Sequence, residues 1–392
     1  MKIFRLIFQI VNRLAVMMIY ALILSCIFSQ GLLAKYKSHI EFNIAAFPNN
    51  EKNDYISTEQ LLEKAGAEDV DAQLALSRRY YYGIGVEKNE RQASFWALKV
   101  AETGNPIGEY LAGIIYYKGI GGKSKDFAKA LKWLKKSAAQ DNEYANYVLG
   151  IMYYNGEEVT RDVNMAEKCF LKAVTDENSY SDVKVALAYL YCDRENYSQA
   201  MEWAKKAADQ GNVKGMYIVG MLYDSGWGVE KDFTKAFQFY LRGAELGNAF
   251  MQYKVGAAYW QGMGVEVDMQ KAKDWFLKSA EQGDEEGQWA LGLFYVANSR
   301  DFAAAAPWFD KAAKQNHEQA QCALGKLYLT GIGMVKNEVE GMAWLMLSAA
   351  QGNQDAAETI KTLRSELNNK QIKQAEQRSK ELQQKIELPQ VK

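Results

Sequence analysis

The sequence predicts an all-α fold, a solenoid of about eight helix–turn–helix repeats. Three observations predict it. A Gly-x-Gly turn recurs at Gly83, Gly119, Gly226, Gly262 and Gly331, with a degenerate copy at Gly156. The spacing is 36 residues from Gly83 to Gly119, 37 to Gly156, and 36 from Gly226 to Gly262. A small residue stands six positions before each turn (Ser77, Gly113, Gly150, Gly220, Gly256, Gly325). Beyond the turn, an alanine is followed three positions later by a large side chain, and six of the nine tryptophans occupy that place.

The first observation raises a second possibility, because a glycine turn at the start of a helix can cradle a phosphate. Repetition argues against it. A phosphate loop is a single copy after a strand, with Lys-Ser/Thr at fixed spacing. Gly122-Lys123-Ser124 occurs once, at the wrong spacing and with no strand ahead of it. Residues 187–212 and 291–316 omit the turn altogether, and the period shortens there to about 33. The glycines therefore serve the backbone between two antiparallel helices. The second observation points to close helix crossing. Glycine costs about 1 kcal/mol inside a helix, so its recurrence calls for a contact that no larger side chain permits. The third observation reads as core, with Trp96, Trp133, Trp203, Trp275, Trp308 and Trp344 in one register. Lys125-Asp126, Arg161-Asp162 and Lys231-Asp232 follow the turns, and their acids are expected to cap the second helices.

Composition narrows the function classes. Lysine plus arginine number 47 and acids 48 in 392 residues, a balance unlike that of a nucleic-acid binder. The two histidines, His39 and His317, make a His-rich metal site unexpected and leave His-based catalysis few candidates. The four cysteines, Cys26, Cys169, Cys192 and Cys322, form no Cys-x-x-Cys pair. Cys169 and Cys192 are either a disulfide or two buried thiols. No cofactor is expected. Glu102, Glu245 and Glu281 recur in register, as solvated helix-face charges do.

The N-terminus carries Lys2, Arg5 and Arg13, then 21 uncharged residues from 14 to 34. Residues 1–34 are expected to be a signal peptide or an N-terminal membrane anchor. The length favours an anchor. Cys26 ends a stretch faintly like a lipoprotein signal, and a buried helix of a cytosolic protein is the bland alternative. The basic residues ahead of the span would hold the N-terminus in the cytoplasm and place the rest in the periplasm. Residues 35–56 read as a linker, 57–353 as the solenoid with an N-terminal cap, and 354–392 as C-terminal capping helices and tail. In the last helix Ile372, Ala375, Leu382 and Ile386 fall on one face, behind an Asn368/Gln371 N-cap pattern.

Segments such as "ALGKLYLTGIGMVKNEVEGMAWLMLSAAQGN" and "VGAAYWQGMGVEVDMQKAKDWFLKSAEQGD" resemble Sel-like repeats, relatives of tetratricopeptide repeats. The resemblance covers about three quarters of the chain. It rests on Leu-Gly-x-x-Tyr, Gly-x-Gly-Val and Ala-x-x-Trp recurring in register. It implies a right-handed α/α superhelix with a concave groove, and protein–protein recognition more often than catalysis. Exported bacterial members include envelope regulators, polysaccharide-assembly scaffolds, host-interaction factors and immunity proteins against secreted lipase toxins. A cysteine-rich branch is linked to β-lactam hydrolysis, but it carries a disulfide in each repeat, which this chain lacks.

In the related fold, the positions three before and four after the small residue line the groove. Here they would set Tyr110, Tyr117, Tyr147, Tyr154, Tyr217, Tyr253, Trp260 and Trp289 along it as a partner-binding ladder. The alternative is that these rings pack between adjacent helices. The expected function is a non-enzymatic envelope adaptor whose partner is another protein, an envelope component or a secreted toxin. A glycan ligand, as in a polysaccharide-assembly scaffold, and a cell-wall or β-lactam hydrolase are the alternatives. Nucleic acid is not an expected partner, and the inner membrane enters only through an uncleaved N-terminal segment.

Overall fold

A computed structural model describes residues 55–387, except 158, 177 and 178. The expected signal or anchor segment and nearly all of the linker lie outside the described residues. Within them the chain forms 19 α-helices and no strand, the all-α solenoid that the repeats predict. A short helix α1 (Thr58–Gly66) comes first, its Ser57 and Gln60 closing a reciprocal capping box. Eight helix pairs follow. In the first four, the leading helices are α2 (Val70–Tyr82), α4 (Pro106–Lys118), α6 (Glu143–Asn155) and α8 (Ser181–Asp193). Their partners are α3 (Glu90–Glu102), α5 (Phe127–Ala138), α7 (Val163–Ala173) and α9 (Tyr197–Asp209). The later pairs are α10 (Val213–Ser225) with α11 (Phe233–Glu245), and α12 (Ala249–Gln261) with α13 (Met269–Glu281). They continue with α14 (Glu285–Ser299) and α15 (Phe302–Lys314), then α16 (Glu318–Thr330) and α17 (Glu338–Ala350). Helices α18 (Gln354–Glu366) and α19 (Asn369–Glu387) complete the described chain. The helices form two compact units, one ending at Gly215 and the other beginning at Met216.

Within seven of the eight pairs the crossing is set by a small residue. A Cβ added to Gly150 would stand 2.4 Å from the ring of Phe170, and one on Gly256 would stand 2.6 Å from that of Phe276. Gly220 meets Tyr240, Gly292 meets Phe309, and Gly113 and Gly325 meet Leu134 and Leu345 in the same way. The partner is always the residue after the tryptophan position. In the first pair Ser77 replaces glycine, and its hydroxyl donates to the Ala93 carbonyl at 2.7 Å.

The turn glycines have two distinct tasks. The first ends the leading helix in the left-handed conformation, as Gly262 does at φ 72°. At Gly121, Gly264 and Gly333 the second also packs on the preceding repeat: a Cβ on Gly264 would lie 2.1 Å from the Phe233 carbonyl oxygen at the start of α11. This backbone is occupied by helix packing. The pairs without the turn still need a left-handed residue, and Glu195 (φ 56°) and Arg300 (φ 52°) take that conformation. Asp126, Asp162 and Asp232 cap α5, α7 and α11 through backbone N–H groups of the first turn, as the sequence predicts.

Buried amides join one repeat to the next. The Gln252 side chain donates to the Ala244 carbonyl at 3.2 Å and accepts from Gln282 at 2.7 Å. Gln288 and Gln321 repeat the first bond with Ala280 and Ala313. Gln315 and Gln351 repeat the second, at 2.9 and 2.8 Å. In the N-terminal unit Gln140 donates to Glu109 at 2.8 Å. Such bonds satisfy polar groups that would otherwise be costly to bury, and they admit one register between repeats.

At the C-terminus, α19 runs back along α17. Asn368 and Gln371 form a capping box at 3.0 and 3.1 Å. Ala375 and Leu382 are buried, Ile372 and Ile386 half-buried. Arg378 grips the Glu340 carboxylate with two bonds of 2.7 and 3.1 Å.

The crossing geometry predicts opposite effects at two glycines. Gly150→Ala gains about 1 kcal/mol of helix propensity but overpacks a fully buried ring for about 1–3 kcal/mol. The expected net change is a loss of stability and a lower urea midpoint. Gly66→Ala, with no neighbour within 4 Å of the added Cβ, is expected to raise the midpoint by roughly 0.5–1 kcal/mol.

Candidate functional site

Across repeats, it is the leading helices that lie side by side. In the N-terminal unit α4 touches α6 and α6 touches α8; in the C-terminal unit α12 touches α14. The second helices stand outside them. The leading helices therefore line the inner face of each unit, which is where the eight candidate rings were expected.

Six of those rings are buried: Tyr110, Tyr147 and Tyr154 in the N-terminal unit, and Tyr217, Tyr253 and Trp289 in the C-terminal unit. Tyr117 and Trp260 are half-buried. For the rings three before the small residue, a third neighbour explains the burial. The ring three before the small residue lies against its own second helix, as Tyr217 does on Tyr240 at 6.4 Å and Trp289 on Phe309 at 5.1 Å. It is then covered by the start of the next leading helix. Tyr110 meets Tyr144 at 5.7 Å, Tyr217 meets Phe250 at 5.6 Å, and Trp289 meets His317 at 5.3 Å. His317 itself caps α16, its Nδ1 accepting from the Ala320 N–H at 3.2 Å. These rings fill the joint between repeats.

The ring four after the small residue uses its hydroxyl in the same joint. Tyr117 donates to Glu157 at 2.5 Å, and Tyr154 donates to Asp193. Arg161 closes the second cluster, 5.3 Å from the Tyr154 ring and 3.2 Å from the Asp193 carboxylate. Burial, reinforced by bonding to a carboxylate, holds both phenols well above their ordinary value of 10.0. The acceptors were not singled out from the sequence, although each lies about one repeat after its tyrosine.

Part of the inner face of the C-terminal unit remains open. Trp260 touches Phe276 and Phe294, both at 5.8 Å, and keeps part of its surface exposed. Leu293, Val296 and Leu329 are half-buried at equivalent or adjacent positions of the next two repeats. Lys254 and Lys326 are on the same helices as Trp260 and Leu329, Lys254 over the Tyr240 and Phe250 rings at 6.0 and 5.7 Å and Lys326 paired with Asp355.

The tryptophan row differs from the expectation of plain core. Trp133, Trp203, Trp275 and Trp308 are only half-buried. Each carries a lysine from three positions later over its ring, at 4.6, 4.3, 4.1 and 4.0 Å. In the last repeat that position is Leu347, and both it and Trp344 are buried in a cluster with Leu382 of α19. Cys169, Cys192 and Cys322 are free and buried, so Cys169 and Cys192 form no disulfide. Burial pushes the Cys322 thiol up to about 12. Among the described residues no group of three or more His, Cys, Asp or Glu is placed to hold a metal, and no helix is long and apolar enough to cross a membrane. Glu102, Glu245 and Glu281 are exposed.

The tyrosine joint predicts a pH-dependent contribution. Tyr154→Phe should lower stability by about 1–3 kcal/mol at neutral pH, the range for a hydrogen bond to a charged group. A raised folded-state pKa stabilises below the unfolded value and loses its effect as pH rises through the folded one. The wild-type advantage in urea unfolding should therefore shrink as pH climbs past 10.0, the ordinary value.

Comparison with known proteins follows the same repeats. The family model for the Sel1 repeat matches residues 70–105, 106–142, 143–176, 184–212, 213–248, 249–284, 286–317 and 318–353. No curated protein matches the chain. Among solved structures, a Sel1 repeat protein from Oxalobacter formigenes is 25% identical, with a TM-score of 0.60 over 85% of this chain and 99% of its own. A protective antigen of uropathogenic Escherichia coli with an SLR fold is also 25% identical, with a TM-score of 0.52 over 84% and 95%. An immunity protein from Pseudomonas aeruginosa is 21% identical, with a TM-score of 0.35 over 53% and 80%. With eight matches in register along the helix pairs, the chain belongs to the Sel1 repeat family.

Proposed function

We propose that this chain is a non-enzymatic adaptor of the bacterial envelope that binds a segment of a partner protein on its inner face. Sel1 repeat proteins are protein-interaction scaffolds, and the reading here concerns the site and the partner. The observation that carries it is the exposed part of Trp260, with Leu293, Val296 and Leu329 continuing the strip and Lys254 and Lys326 on the same helices as Trp260 and Leu329. A strip of that kind suits an amphipathic helix or extended apolar segment bearing acids at its edge. An aromatic anchor that is already packed loses little freedom on binding. Of the ladder rings in the C-terminal unit, Trp260 is the one proposed to touch the partner, and the buried Tyr217, Tyr253 and Trp289 act by shaping the surface.

The partner class is an envelope regulator or a secreted toxin that the chain neutralises. Periplasmic location, through a cleaved signal or an anchor over residues 14–34, is part of the proposal and rests on the sequence.

Affinity capture from envelope and secreted fractions tests the site, with the full chain as bait. Trp260→Ala and Lys254→Glu, each first checked for unchanged helicity and melting, are expected to weaken capture of one defined protein at least about tenfold, as loss of a central anchor does. Equal capture by the wild type and both variants would remove the strip from the binding site.

A further inference from the structure

We propose that the outer face of the first three repeats rests on an anionic membrane surface. The face is built by equal positions of α3, α5 and α7, taken relative to the tryptophan place: four before, one before, and two and three after. The crossings Ser77–Ala93, Gly113–Leu134 and Gly150–Phe170 hold these helices in one register, so equal positions point the same way. Helix α5 fills its four positions with Lys129, Lys132, Lys135 and Lys136, all exposed. Helix α3 offers Phe95, 55% exposed, and Lys99. Helix α7 offers Met165, Lys168, Leu171 and Lys172, with Leu171 43% exposed. The three helices together present seven lysines and no acid in these positions.

Among the later second helices, α11 also keeps this register clear of acids, with Lys235 and Arg242 as its two basic groups, whereas α9, α13, α15 and α17 do not. Helix α9 sets Glu202 there, bonded to Lys206 at 2.7 Å. Helices α13 and α15 set Asp274 and Asp310. The basic residue over a tryptophan is thus common to most repeats, whereas a stripe of lysines interleaved with exposed Phe95, Met165 and Leu171 is confined to the first three.

Lys129 pairs with Asp126 at 3.0 Å and Lys172 lies 3.9 Å from Asp141; the positive charge that remains calls for an anionic occupant. The exposed apolar side chains choose among anionic occupants, because lysine-rich faces carrying Phe, Leu and Met suit the interface of a charged bilayer. An acidic protein or a soluble polyanion would satisfy the lysines and leave those side chains in water. Position in the chain agrees. The uncharged stretch of residues 14–34 ends 23 residues before α1 begins at Thr58. Even fully extended, that connection reaches at most roughly 80 Å, so an anchor there would tether the first repeats to the bilayer.

The test uses the full chain reconstituted in bilayers of phosphatidylcholine, with or without about one-third phosphatidylglycerol. A neutral acylating reagent reports the reactivity of Lys132, Lys135 and Lys168, with Lys235, Lys271 and Lys278 as internal references. The expected result is a slowing of about fivefold or more at the first three, in anionic bilayers only, reversed near 0.5 M salt. The variant carrying Lys132→Glu, Lys135→Glu and Lys168→Glu, checked for unchanged melting, is expected to restore the reactivity of Lys99 and Lys172. Equal labelling in both bilayers would overturn the proposal, as would equal slowing at the reference lysines. Slowing by soluble polyglutamate without any effect of anionic bilayers would overturn it in favour of an acidic macromolecule.

Discussion

The close crossing of the two helices in each repeat is the constraint on which the rest depends. A missing Cβ lets a buried Phe, Tyr or Leu of the second helix seat itself in the first. That ring is then the platform for the aromatic residue three positions before the glycine, as Phe309 is for Trp289. The next leading helix closes over the pair. One steric notch thus orders three elements: the two helices of a repeat and the start of the following one. Because each repeat is fixed chiefly by its neighbours, the stability of such an array is a sum of similar local terms.

Polar groups enforce the same register from the edges of these joints. Gln252, Gln288 and Gln321 each bond back to the end of the preceding helix and accept an amide from the next repeat. Tyr117 and Tyr154 reach carboxylates about one repeat further on. A slip of one residue would leave these groups buried and unbonded, at about 1–3 kcal/mol each. The apolar notch supplies close packing and the amides supply specificity, so the inner face of each unit follows from local rules.

Much of this was legible in the sequence. Periodicity located the repeats, the recurrence of glycine where helices disfavour it located the crossing, and Asp126, Asp162 and Asp232 announced the second helices. The accessibility of the ladder was not legible. A helical wheel places Tyr217 and Trp289 opposite the side facing their own second helix, but it has no term for a third helix arriving at Phe250 or His317. The half-exposure of the tryptophan row was hidden for a related reason: a long lysine stem covers an indole without burying it, and only the spacing of three to Lys136, Lys206, Lys278 and Lys311 hinted at it. The exception was readable, since Leu347 in place of lysine marks the repeat that α19 covers.

The two faces of the array differ accordingly. Inside, the demands of repeat-to-repeat packing leave few side chains with surface to spare, and Trp260 stands out for that reason. Outside, the second helices other than α17 keep a solvent-facing side, where charge varies from one repeat to the next. The claim beneath both statements is that steric contact at the crossing governs the fold. A double-mutant cycle in urea unfolding tests it most directly, pairing an alanine at Gly150 with Phe170→Leu. If the crossing is steric, the smaller side chain makes room for the new Cβ, and the pair should be more stable than the sum of the single changes by about 1 kcal/mol or more. Strict additivity would contradict the account.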